Sequence, residues 1–222
     1  ETDTLDSPLS YRIYLPACYD HQLEREYPVL YLFHGQSYTD EQWDRLGIDE
    51  TADRLIAEGD IAPLIMVMPF EEDDRTPPPE NVYGMVIVRE LLPHIDDEYR
   101  TITGREYRAV GGLSRGGNWA INIGLSNWSK FGIIGAHSTP SFVTDGPPRI
   151  REILDVIPRD MLPRIYMDSG ADDLWREYTL QLEAVFAEEN IPHEWHQFEG
   201  AHEEEYWASH LEDYLLWYTQ GW

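Results

Sequence analysis

The chain has 222 residues, 42% of them hydrophobic and 13% aromatic, which is enough apolar mass for one large core and excludes global disorder. With 16 Lys and Arg against 42 Asp and Glu, its formal charge of −26 repels phosphate backbones and anionic lipid heads, which argues against nucleic-acid and membrane-surface partners. The lone cysteine, Cys18, excludes an intrachain disulfide and a Cys-rich zinc site, and no apolar run approaches the roughly 18 residues of a membrane span.

The length suits a single domain over residues 1–222, and no repeat or linker divides it. The sequence starts at Glu1 without an initiator Met or a signal-like segment. This fits a mature form whose targeting segment was removed, or a trimmed chain, and an extracellular or cell-envelope setting is favoured over a cytoplasmic one.

After a polar lead-in, residues 10–15 (SYRIYL) alternate and end at Pro16, the pattern of a half-exposed strand. Residues 27–33 (YPVLYLF) are continuously apolar and predict a buried strand. Ile48, Ala52, Leu55 and Ile56 give residues 47–58 a helical period that Gly59 stops. Residues 64–68 (LIMVM) predict a second buried strand, and residues 83–95 an amphipathic helix that Pro93 kinks or ends. Strands are then predicted at 107–111, 132–136, 164–168 and 194–198, with helices at 115–125, 175–189 and 204–218. This alternation predicts a mostly parallel sheet with helices on both faces, whose chemistry lies just beyond the carboxyl ends of the strands. No GxGxxG follows an early strand, so a dinucleotide site has little support.

Gly112-Leu113-Ser114-Arg115-Gly116 fits G-x-S-x-G. Alone the motif is weak, and an N-capping Ser at a Gly-rich helix start would also produce it. Its setting between a strand and a helix is that of a nucleophile elbow, a strained turn flanked by small residues so that the backbones can approach. There the Arg115 N–H opens the helix toward the space where an oxyanion would form. A serine nucleophile needs a base, and the elbow fold supplies its partners in the order Ser, Asp or Glu, His. His34 precedes the serine, His193 and His196 fall beside or within a strand, and His210 is mid-helix. His202 stands in the loop between the last strand and the last helix, which makes it the best base. Zinc binding by His193, His196 and His202 is disfavoured, because residues three apart on a strand face opposite sides. The acid should follow the strand at 164–168, where Asp168, Asp172 and Asp173 compete to orient the imidazole. The unused ones should cap a helix or be solvated. A second oxyanion donor should come from the loop His34-Gly35-Gln36, as the Gln36 N–H.

With those residues in place, the chain resembles the esterase branch of the α/β-hydrolases that includes esterase D-like enzymes, feruloyl and acetyl xylan esterases, siderophore esterases and mycolyltransferases. The resemblance runs over residues 9–218 and rests on YPVLYLFHGQ, RELLPHIDDEYRTITGREYRAVGGLSRGG, FGIIGAHS, DSGADDLW and EGAHEEEYWASHLEDYL. It implies an α/β-hydrolase fold without a large lid domain. It also implies cleavage of short-chain or aryl acyl esters, including those of sugars, through an acyl-enzyme. No metal or organic cofactor is implied. The family's Gly-x-x-Asp pattern places the acid on Asp173, its Gly-x-His pattern places the base on His202, and the residue after His-Gly is Gln36. Arg115 and His137 depart from the usual pattern and are expected to line the acyl or alcohol pocket. Trp119, Tyr206 and Trp207 are candidates for ring stacking on substrate, with core packing the better reading for at least two of them. Alternatives within the fold are siderophore lactone hydrolysis, thioester hydrolysis and acyl transfer; outside it, a binding protein that has lost activity. Residues 138–163, rich in proline, are expected to wall one side of the cleft, and the loop Glu71-Glu72-Asp73-Asp74 to be solvated.

Overall fold

The structure, a computed structural model, describes residues 8–72, 75–77, 80–140 and 146–222. In chain order the elements are β1 (Tyr11–Tyr14), β2 (Val29–Phe33), α1 (Gln42–Leu46), α2 (Ile48–Glu58), β3 (Ile65–Pro69), α3 (Tyr83–Val86), α4 (Leu92–Glu98), β4 (Arg108–Leu113) and α5 (Arg115–Ser126). They continue with β5 (Ile133–His137), α6 (Pro147–Leu154), β6 (Arg164–Gly170), α7 (Arg176–Glu188), β7 (Glu194–Phe198), α8 (Glu204–Ser209) and α9 (Leu211–Tyr218).

The seven strands form one sheet in the order β1-β3-β2-β4-β5-β6-β7, with only β1 antiparallel to its neighbour. The continuously apolar strands sit in the middle, where both faces are covered, and half-exposed β1 and β7 form the edges. Alternation splits each strand between two cores. Val29, Tyr31 and Phe33 of β2 join one core with residues of α3, α5, α6 and α7; Leu30 and Leu32 join the other with residues of α2, α8 and α9. The chain runs outward from β2 to β3 and then returns to β4 on the other side of β2. That reversal places the ends of β2 and β4 side by side, the position where open α/β sheets open a crevice.

Two predicted elements differ in detail. The helix containing Pro93 is not ended there. A π-helical stretch, Ile87–Leu91, precedes α4, and the Leu92 N–H reaches back to Ile87 O, so the ladder is already widened where proline lacks a donor. The last predicted helix breaks at His210 into α8 and α9. Helix α1 and the proline-started α6 were not expected, being only five and eight residues long. Residues 141–145 of the expected wall segment lie outside the described residues.

Candidate active site

Strand β4 passes directly into α5 through Ser114, which has φ 52° and ψ −120°, a conformation that a non-glycine residue holds only at a cost. The small neighbours permit it. A Cβ on Gly112 would stand 2.2 Å from the Gly116 carbonyl, and one on Gly116 would stand 2.1 Å from Phe33 O. The Ser114 N–H is fixed by His137 O on β5 at 2.8 Å. Ser114 O already accepts from the N–H groups of Gly117 and Asn118, while the Arg115 and Gly116 N–H groups, at the first turn of α5, have no acceptor within the helix.

Two loops bring partners to the serine hydroxyl. His202 lies between β7 and α8, with Nε2 2.9 Å from Ser114 Oγ. Its Nδ1 is 2.9 Å from Asp173 Oδ2, in the loop after β6. An acceptor carboxylate on that side fixes the proton on Nδ1 and leaves Nε2 as the acceptor facing the serine. Asp173 is held in turn by the Trp175 N–H at 2.7 Å on Oδ1 and by Ser169 Oγ at 3.4 Å. Burial works against its ionisation, but the hydrogen bonds from His202 and the Trp175 N–H outweigh it and hold the Asp173 carboxyl below its ordinary range. The three side chains thus form one hydrogen-bonded line across the ends of β4, β6 and β7.

The profile of the family described as "Putative esterase" matches residues 2–218. The chain belongs to that esterase family. Among curated proteins, it is 32% identical over 143 residues to an endo-1,4-beta-xylanase/feruloyl esterase of Xylanibacter ruminicola; the match covers 60% of this chain and 20% of that protein. The chain therefore spans only a small part of the length of that relative. A solved ferulic acid esterase superposes with a TM-score of 0.87 at 26% identity, covering 99% of this chain and 94% of the other. An S-formylglutathione hydrolase from Staphylococcus aureus shares the fold, with a TM-score of 0.71 at 15% identity over 96% and 100% of the two chains. The architecture is thus that of the α/β-hydrolase esterases, with no large lid domain among the described residues.

The three aspartates compared in the sequence have separate fates in this esterase-family chain. Asp173 faces His202, and Asp172 is exposed. Asp168 is neither a cap nor solvated: it is fully buried and bonded to His137, Tyr206 and Tyr214. His137 is a second correction. In β5 it shares a face with Ile133 and Gly135, toward α9, so it stacks on Tyr214 at 3.7 Å and is fully buried. Trp119 and Trp207, at 2% and 3% exposure, present no free face for stacking. Trp119 packs on Tyr83 and edges a surface cavity between α3 and α5 that neither Ser114 nor His202 lines. Trp207 sets its ring edge-on to His202 at 5.0 Å. The Arg115 side chain makes a buried, two-pronged ion pair with Glu71 at 2.8 and 2.5 Å. Glu71 is therefore buried rather than solvated, while Asp73 and Asp74 lie outside the described residues.

The sequence reading missed the residues that hold the His34-Gly35-Gln36 loop. His34 is buried; its Nε2 accepts from the Glu71 N–H, so its Nδ1–H donates to Gly35 O. The Gly35 N–H donates to Gln42 Oε1, and Gln42 Nε2 donates to Glu204 Oε1, linking this loop to the helix that follows His202. Arg45 grips the same Glu204 through both terminal nitrogens and holds its carboxyl below the ordinary range. Also missed was an exposed apolar rim directly after Asp173, made by Leu174, Trp175 and Tyr178. Its signal in the sequence was the apolar pair that follows Asp173 on the surface side of the turn. Among the described residues, no group of three or more His, Cys, Asp or Glu is arranged to hold a metal, and no helix is long and apolar enough to cross a membrane.

Proposed function

We propose that this chain hydrolyses carboxylic esters through an acyl-enzyme, with Ser114 as nucleophile, His202 as base and Asp173 as its orienting carboxylate. The observation that carries the reading is the unbroken line Ser114 Oγ, His202 Nε2, His202 Nδ1, Asp173 Oδ2, with 2.9 Å at each of its two hydrogen bonds. As Ser114 Oγ attacks the acyl carbon, its proton passes to His202 Nε2, and the carbonyl oxygen becomes an oxyanion. The N–H groups of Arg115 and Gln36 receive that charge, aided by the N-terminus of α5. The imidazolium stays paired with ionised Asp173 and then protonates the departing alcohol oxygen. A water, deprotonated by the same Nε2, cleaves the acyl-serine and returns the enzyme.

The substrate class we propose is short-chain or aryl acyl esters, feruloyl esters among them, carried on small alcohols or sugars. Similarity to a relative named as a feruloyl esterase and to a solved ferulic acid esterase supports it. So does the exposed Leu174 and Trp175 rim beside Asp173, which offers an apolar contact to an aryl group. A highly anionic ester would meet a surface of charge −26 and is disfavoured. The test is a panel of nitrophenyl esters from acetate to palmitate, with methyl ferulate, on the wild type and Ser114→Ala, plus fluorophosphonate labelling. Labelling confined to Ser114 and a specificity maximum at short or aryl acyl groups is expected. Undiminished turnover by Ser114→Ala removes the nucleophile assignment, and a maximum at palmitate removes the substrate class.

A further inference from the structure

Beneath the reacting groups lies a polar cluster that the proposed chemistry does not use. Asp168 Oδ1 accepts from His137 Nδ1–H at 2.6 Å; Asp168 Oδ2 accepts from the hydroxyls of Tyr206 at 2.5 Å and Tyr214 at 2.9 Å. His137 Nε2 accepts from the Tyr218 hydroxyl at 3.0 Å, and all five residues are buried. An enclosed carboxylate is costly unless its lone pairs are filled, and well-packed apolar side chains would serve stability as well or better. What the cluster adds is direction.

Its bonds reach the segments that carry all three members of the line above. Ser114 hangs by its N–H from the backbone carbonyl of His137. Asp168 itself lies on the strand that runs into the Asp173 loop, and its own carbonyl holds the Ser138 N–H. Tyr206 sits one turn beyond His202, on α8, a helix of only six residues. A helix that short does not hold its own position, so tertiary contacts must set it. The Tyr206 ring also supports the turn before His202: a Cβ on Gly200, whose φ is +125°, would lie 2.8 Å from Tyr206 Cδ2. Burial and the neighbouring Asp168 charge push the Tyr206 phenol far above its ordinary range, so it remains a donor at every working pH.

We infer that Tyr206 and Asp168 are positioning residues: the bond from the Tyr206 hydroxyl to Asp168 anchors α8 to β6 and so fixes His202 against Ser114. The inference rests on the catalytic reading above. Tyr214 supplies an internal comparison, because it bonds the same carboxylate oxygen from α9, which does not carry His202. A structural role alone makes the two hydroxyls equivalent, whereas a positioning role makes only one of them matter to turnover.

The experiment compares Tyr206→Phe with Tyr214→Phe, measuring Tm, kcat and KM on a nitrophenyl acetate and the rate of fluorophosphonate inactivation. Both variants should lose similar thermal stability. Tyr206→Phe should lower kcat and the inactivation rate together by about 10- to 100-fold, the scale of a misplaced catalytic group, with KM little changed. Tyr214→Phe should leave both rates at the wild-type level. Asp168→Asn, which keeps an acceptor oxygen for Tyr206, should retain more of kcat than Asp168→Ala, and this pair carries the test if Tyr206→Phe does not fold. Equal rates in the two Phe variants, whether both normal or both reduced, overturn the inference, as does equal loss in Asp168→Asn and Asp168→Ala. Ser114→Ala is run alongside. Turnover surviving in it defeats the catalytic reading, whereas a dead Ser114→Ala with equivalent Phe variants defeats only the positioning role.

Discussion

His137 ends β5 and lies across the ladder from Asp168 on the parallel strand β6, while His202 and Asp173 lie in the loops just past β7 and β6. Each pair joins an imidazole Nδ1 to a carboxylate, at 2.6 Å in the first and 2.9 Å in the second. They differ in what the remaining atoms face. In the first pair the other nitrogen and the second carboxylate oxygen are taken up by tyrosine hydroxyls in a sealed core. In the second, Nε2 meets a serine hydroxyl, and the imidazole keeps 15% of its surface open. The same chemical couple is a clamp when the fold consumes every polar atom, and a proton carrier when one nitrogen is left for a reacting group. Removing a member of the first should therefore cost stability, with any loss of turnover arising only through the placement of His202, and removing a member of the second should cost turnover directly.

The sharpest way to test that division is Ser114→Ala. Turnover should fall on the order of 10⁶-fold, as for other triads acting as a unit, with an unchanged urea midpoint, and adding His202→Ala should cost little more. Asp173→Asn should lower kcat by about 10⁴-fold, because an amide favours the wrong imidazole tautomer. Asp172→Asn, on an exposed side chain one residue away, should behave as wild type; a crippled Asp172→Asn would transfer the orienting role to it. On the other side of the comparison, His137→Leu strips Asp168 of a buried partner and should cost about 3–5 kcal/mol in urea unfolding. If His202→Ala proved as destabilising as His137→Leu, the two pairs would not be divided as described.

The smallest expected effect is in the pH dependence of stability. The folded-state pKa of Asp173 lies below its unfolded value, so its contribution is fully present above about pH 3.9 and is lost as pH falls through the depressed folded value. The stability gap between the wild type and Asp173→Asn, followed by urea midpoints from neutral pH into acid, should hold steady and then narrow in that window. A gap that instead widens as the pH falls would reverse the assigned direction.

Much of this was readable in one dimension because the signals are local. Strand and helix periods, glycine and proline stops, and the run from an apolar strand through Gly112-Leu113-Ser114 into a helix are written within a few residues, since backbone sterics and side-chain alternation act over that range. The loop position of His202 followed from the same bookkeeping. The ion pair of Arg115 with Glu71 was not readable, because its partners are 44 positions apart, nor was the tie of Gln42 to Glu204, 162 positions apart.

The sequence by itself determined the order of elements, the place of the elbow and the family resemblance. The resemblance had already pointed to Asp173 as the acid; only the tertiary structure decided that Asp168 and His137 belong to the core. Both outcomes depend on strand register and on which face of the sheet a residue occupies. His137 pairs across the ladder with Asp168, and both point toward tyrosines that arrive from α8 and α9, the last helices of the chain. A one-residue shift would turn either side chain to the opposite face, and no local pattern records which register long-range packing selects.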